Sequence, residues 1–223
     1  MDYSLVQSLS STLKISPNQL LREYWEVIAL KELSTTKWSS KLIFKGGTAL
    51  RLAYNSPRYS DDLDFSLAGS ISSSHVFDWA RRFAGRYELR ITDQWRKYYT
   101  LLIEFLVRDE LIALPFRMKL EISTRKPYLK RKDWEVKLLT SPTTNLEVLF
   151  QVTTLERIYL EKLAAMKDRE EPRDLFDLWY VAQKLKKQLP KGLPKVSERM
   201  LRQTLNKYLP IDWRPVINEL ATR

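Results

Sequence analysis

The chain has 223 residues, 44% hydrophobic and 12% aromatic, enough to bury a core as one compact unit. Its 38 Lys and Arg against 27 Asp and Glu give a formal net charge of +11, which favours a polyanionic partner such as nucleic acid over a neutral one. With no cysteine, disulfides and thiolate zinc sites are excluded, and the single His75 leaves little for a histidine metal site or a Ser-His triad, so any chemistry must come from carboxylates, lysines and a bound metal.

The N-terminus MDYSLVQSL carries no basic region followed by an apolar one, and no apolar run approaches membrane-spanning length. The expectation is a cytoplasmic protein without a membrane partner. Ser16, Pro17, Asn18 and Gln19 read as a helix start, with serine as cap, proline at the first helical position and glutamine set for a capping box. Leu20, Leu21, Tyr24, Val27 and Ile28 then recur at helical spacing to about Leu33. Residues 41–45 form a short apolar-rich run ended by Gly46 and Gly47, and 48–54 read as a helix stopped by Asn55, Ser56 and Pro57.

From Asp62 the period changes to two. Leu63, Phe65 and Leu67 fall on one face of a strand, and Asp62, Asp64 and Ser66 on the other. Ser72 to Ser74 cap a helix carrying Val76, Phe77, Trp79, Ala80 and Phe83. Strand character follows over 87–92, 98–107 and 114–123, the last with Arg117, Lys119 and Glu121 on its polar face. Residues 125–137 are strongly basic, with Arg125, Lys126, Lys130, Arg131, Lys132 and Lys137 around Tyr128 and Trp134. Further strands are expected over 134–139 and 146–152, where the protease-site hexapeptide LEVLFQ reads as native strand. After Thr154 the chain turns helical, with helices over about 154–167, from Pro172, and after Pro194 and Pro210.

Two carboxylates at alternate strand positions, with a third on a neighbouring strand, form a hard-oxygen ligand set suited to magnesium, which takes few protein carboxylates and fills its shell with water and phosphate. Gly46 and Gly47 let backbone approach phosphate oxygens at a helix N-terminus, and Arg51 one turn on offers a cation. Each piece alone has a plainer explanation: a glycine pair is usually a turn, an Asp-x-Asp a solvated strand end, and Glu121 beside Lys119 and Arg117 a surface ion pair. Lys162 lies within the apolar stripe of Leu155, Ile158, Tyr159 and Met166, so it needs an anionic partner or a route to water. Asp174 opens a helix, where a carboxylate suits the dipole whatever its function, and could pair with Arg173 or Lys162. Asp177, one turn later, reads as structural.

KGGTALRLAY, SDDLDF, KLEIS, EKLAAM and PRDLFDLW, in this order over residues 44–180, closely resemble the AbiEii/AbiGii-type nucleotidyltransferase toxins, relatives of the MenT toxins. The resemblance implies an α+β, polymerase-β-like nucleotidyltransferase fold, a mixed sheet with helices packed on one side followed by a helical C-terminal portion. The expected division is a nucleotidyltransferase part with N-terminal helices over 1–153 and a helical part over 154–223 that completes the cleft. The resemblance also implies Gly46, Gly47, Thr48 and Arg51 on the triphosphate, Asp62, Asp64 and Glu121 on metal, and Lys162 and Asp174 as further catalytic residues. Magnesium, with manganese as an alternative, is the implied cofactor, an NTP the substrate, and an RNA end such as the tRNA 3′ end the acceptor. A cognate antitoxin protein is the implied partner. Arg125, Lys126, Lys130, Arg131 and Lys132, helped by Lys184, Lys186, Lys187, Lys191 and Lys195, are the candidate RNA contacts. Two rival readings stay open: transfer to a protein hydroxyl, and a catalytically silent nucleic-acid-binding module.

Overall fold

A computed structural model describes residues 1–112, 114–126 and 128–222. Seven strands form one mixed sheet: β1 (Leu42–Lys45), β2 (Asp62–Leu67), β3 (Arg90–Lys97), β4 (Thr100–Val107), β5 (Phe116–Ser123), β6 (Trp134–Ser141) and β7 (Thr144–Thr153). They lie in the order β3-β4-β5-β2-β1-β7-β6. β2 runs parallel to β5, β1 runs parallel to β7, and the other neighbours are antiparallel. Eight α-helices complete the fold among the described residues: α1 (Tyr3–Leu13), α2 (Pro17–Ser34), α3 (Gly46–Tyr54), α4 (Ser73–Arg86), α5 (Leu155–Asp168), α6 (Pro172–Lys184), α7 (Glu198–Leu205) and α8 (Val216–Ala221). This is the α+β architecture expected.

The alternation over β2 decides which face is buried. Leu63, Phe65 and Leu67 are fully or almost fully buried, and the register puts Phe44 beside Phe65 and Leu120 beside Leu63 on the same face. Phe44, Phe65 and Phe150 pack with ring centroids 5.3–6.3 Å apart, contacts that add to area burial. Trp79 and Phe83 of α4 close on Phe105 of β4, while Arg22 of α2 lies over Phe116 of β5. Helices α2, α3 and α4 therefore cover the apolar face, and Asp62, Asp64 and Glu121 stand on the other. One continuous cluster of buried side chains extends from this sheet into α5–α8.

Several local expectations change. Ser16 and Pro17 do open α2, but the capping box does not form: no side-chain cap bond is made there, and Gln19 is turned inward and buried. α1, for which the sequence raised no expectation, is capped instead by Asp2, whose carboxylate accepts from Leu5 N at 2.8 Å. The strand expected over 87–92 is shifted to Arg90–Lys97. It is an edge strand, supported on one side by β4, so polar residues are tolerated on both faces and the hydrophobic alternation is weak. Tyr98, expected inside the next strand, is instead the hairpin turn with φ +45°. LEVLFQ lies within β7, as expected.

Candidate active site

Strand register builds the site. Lys45, Asp64 and Glu121 are aligned across β1, β2 and β5, and Asp62, two residues before Asp64, shares its face. The N-terminus of α3 abuts this row. Gly46 has φ +80°, and a Cβ there would collide with Asp64 Oδ2; a Cβ at Gly47 would collide with Arg58 Nη2. The glycine pair thus keeps room for an acid on one side and a guanidinium on the other.

The acidic side is electrostatically incomplete. Burial, reinforced by the charge of Asp62, pushes the Asp64 carboxyl up to about 6, with Lys45 and Lys162 opposing the shift. Burial and then Asp61 raise Asp62 as well. Two neighbouring carboxylates that both resist ionisation are a donor set that a cation would relieve. Among the described residues no three His, Cys, Asp or Glu side chains are gathered as a metal cage; Asp62 and Asp64 are the neighbouring carboxylates that could hold a metal together with water and phosphate oxygens.

On the opposite wall the carboxylates are matched by cations. Lys162 Nζ lies 2.7 Å from both Asp174 Oδ1 and Asp177 Oδ2. Asp177, fully buried, accepts two bonds from Arg58, at 2.7 and 2.8 Å, in the bidentate geometry favoured by guanidinium. Asp174 is shared with Arg169, at 2.8 Å from its Nε. Burial opposes the charge on Asp177, but Arg58 and Lys162 outweigh it and hold the carboxyl at about 2. Lys162 finds its anionic partners in this network, and Asp177 is buried between Lys162 and Arg58. Arg173 does not pair with Asp174; it bonds Glu171 at 3.2 Å.

Between these walls lies a cleft of about 410 Å³. Gly46, Gly47, Asp62, Asp64, Glu121, Lys162 and Asp174 all line it. Arg51 does not. Its guanidinium is turned toward α2, bonded to Glu23 and stacked 3.6 Å from the Tyr59 ring centroid, so it belongs to the helix layer and not to the expected triphosphate set. Thr48 is buried, and its hydroxyl donates to the carbonyl of Asp62 at 2.7 Å, tying α3 to β2. Arg125, Lys126 and Lys130 line an adjoining trough, whereas Arg131 and Lys132 sit exposed beside it, Arg131 over the Trp134 ring.

Sequence reasoning missed Lys45, Arg58, Arg169 and Arg173, which add cations to the cleft. Lys45 was visible as the residue before the glycine pair. Arg58 gave no signal, since it lies in a loop and its partner is 119 residues away. That loop is anchored by the C-terminal segment: Tyr59 N donates to Tyr208 O at 2.9 Å, and the Tyr208 hydroxyl donates to Asp61.

Residues 28–215 match the family described as nucleotidyl transferase AbiEii toxin, type IV TA system. The chain belongs to this AbiEii family. Two solved Helicobacter pylori structures are similar. JHP933 shares 24% identity at a TM-score of 0.55, over 76% of this chain and 68% of its own. A candidate nucleotidyltransferase shares 21% identity at a TM-score of 0.58, over 92% of each chain. At this identity they speak for the fold alone. No curated protein matches. Membership makes the chain a nucleotidyltransferase toxin of a toxin–antitoxin system, and no helix among the described residues is long and apolar enough to cross a membrane.

Proposed function

We propose that this AbiEii chain transfers a nucleotidyl group from an NTP to the end of an RNA acceptor, such as the tRNA 3′ end, and that it does so with magnesium or manganese. The observation that carries this reading is the pairing of the poorly neutralised Asp62 and Asp64 with a cation-lined wall across one cleft.

Asp62 and Asp64 would hold the metal, which when bound clamps and neutralises the reacting phosphate oxygens. The amides of Gly46 and Gly47 at the α3 N-terminus, with Lys45 and Arg169, bind the triphosphate. The acceptor hydroxyl oxygen attacks the α-phosphorus in line, the bond to the β-phosphate oxygen breaks, and pyrophosphate leaves. Glu121, one strand from Asp64, either completes the ligand set or accepts the hydroxyl proton. Lys162 and Asp174 act on the same cleft from α5 and α6. The ammonium of Lys162 has three donors, of which Asp174 and Asp177 use two.

The test is purified protein with magnesium, each labelled NTP and total RNA, beside Asp64→Ala. Labelled RNA is expected, falling by at least about 10²-fold in the variant, the scale of losing a preorganised electrostatic contact. Label on polypeptide would redirect the reading to a protein hydroxyl. No product with any of the four nucleotides, or equal labelling by the variant, sinks it in favour of a silent binding module.

A further inference from the structure

The catalytic cleft does not end at Glu121. It shares Lys45 and Glu161 with the trough beside it, and that trough shares Leu67, Arg125, Lys126 and Tyr128 with a larger groove of about 870 Å³ under the β3–β4 hairpin. The groove is lined by Arg96, Arg125 and Lys126 with Tyr98, Tyr99 and Tyr128, and among the described residues it has no carboxylate.

Its aromatic side chains are unusually open. Tyr98 is 95% exposed and Tyr99 56%. Both stand at a tight turn whose base is pinned to β5 by Thr124 N donating to Tyr99 O at 2.7 Å. On the other side Leu129 N donates to Leu67 O at 3.1 Å, fixing the basic segment to the end of β2. Arg125 lies 5.6 Å from the Tyr99 centroid and Lys126 5.7 Å from that of Tyr128, so cations and rings alternate along the wall. In the trough the acids are already engaged: Glu161 pairs with Arg157 at 3.0 Å, and Asp133 accepts from Lys130 N.

We propose that this groove is a shelf for unpaired RNA bases next to the acceptor end, with Tyr98 and Tyr99 stacking on bases and Arg96, Arg125 and Lys126 holding phosphates. The idea rests on the RNA acceptor proposed above. Single strands are the fitting partner because open rings beside an uncompensated basic track are what base stacking and backbone neutralisation require, whereas a duplex presents no free base faces. The span is suitable: Leu67 is three residues along β2 from Asp64, about 10 Å at about 3.3 Å per residue, or about three stacked nucleotides at about 3.4 Å each.

Fluorescence anisotropy of a labelled short oligoadenylate with the full chain and no NTP tests it. Tyr98→Ala with Tyr99→Ala should weaken binding by at least about thirtyfold, the loss of two stacking platforms, while the two tyrosines changed to Phe should bind as the parent does. Arg125→Ala with Lys126→Ala should flatten the dependence of log affinity on log salt by about 1 to 2. Thermal melting should be unchanged in the tyrosine variants, which keeps a folding defect from imitating the result. The shelf is overturned if the parent chain does not bind oligoadenylate, if a blunt RNA duplex competes equally, or if the alanine pair binds normally. Oligoadenylate binding that survives Asp64→Ala while RNA labelling is absent even in the parent would leave the shelf standing and bring down the transfer chemistry. Normal binding and normal labelling by the alanine pair would bring down the shelf alone.

Discussion

The two walls of the cleft bury the same kind of side chain with opposite outcomes. Asp62 and Asp64 are crowded together and short of counter-charge, so both carboxyls are pushed upward; Asp174 and Asp177 face one lysine and two arginines, and Asp177 is held at about 2. A satisfied network fixes geometry, whereas an unsatisfied pair keeps a standing demand for a cation. The first wall is short of positive charge, and in the second the carboxylates are matched by cations.

If that contrast is right, one chemical change should have opposite signs on the two walls. Asp177→Asn leaves the buried Arg58 without its carboxylate and Lys162 with Asp174 alone, and should lower stability by about 3–5 kcal/mol in urea titration. Because the Asp177 carboxyl is depressed, its stabilisation is present above the unfolded value near 3.8 and is lost only as pH falls through about 2. The deficit should therefore persist from neutrality down to about pH 4.

Asp64→Asn should do the reverse and stabilise the metal-free protein. A carboxyl raised to about 6 contributes most below its unfolded value, and that contribution is lost as pH rises through about 6. At about 1.36 kcal/mol per unit, discounted for the part of the side chain that sees solvent in the cleft, the variant should gain about 1–3 kcal/mol at pH 8 and almost nothing at pH 4. A loss of stability at pH 8 would refute the incomplete-wall picture.

Gly47→Ala tests the junction between the walls. The added methyl meets Arg58, and an overpacking cost of about 1–3 kcal/mol is expected in thermal or urea unfolding. Thr48→Val removes one hydrogen bond to the Asp62 carbonyl and should cost about 1 kcal/mol by the same measurement. An unchanged melting curve for Gly47→Ala would mean that Arg58 is not held where the two walls meet.

Much of the acidic wall was legible in the sequence because it depends on local rules. Strand parity alone places Asp62 and Asp64 on one face away from Leu63 and Phe65, and a glycine pair before an apolar run marks α3. Lys162 was legible for a different reason: an ammonium in an apolar stripe signals a partner without naming it. Arg51 misled because helical spacing does not say which neighbour a side chain will meet, and here Glu23 of α2 captures it. Arg58 was illegible, since the burial of its guanidinium is created by tertiary contact. β3 was misplaced because an edge strand needs no apolar alternation. The shelf tyrosines were read as strand because Tyr98 carries β propensity, while the positive φ of the turn overrides it.

The pairing of Arg58 with Asp177 also has a consequence in time. At about 5–20 residues per second, the 119 residues between them take roughly 6–24 s to synthesise. For nearly all of that interval the nascent chain contains Gly46, Gly47, Asp62 and Asp64, yet Arg58 has no Asp177 to be buried against and Lys162 has not been made for most of it. The loop that carries Arg58 is anchored later still, by Tyr208. A cleft assembled in this way gains its cation-bearing wall only once α5, α6 and the segment around Tyr208 have docked against the sheet.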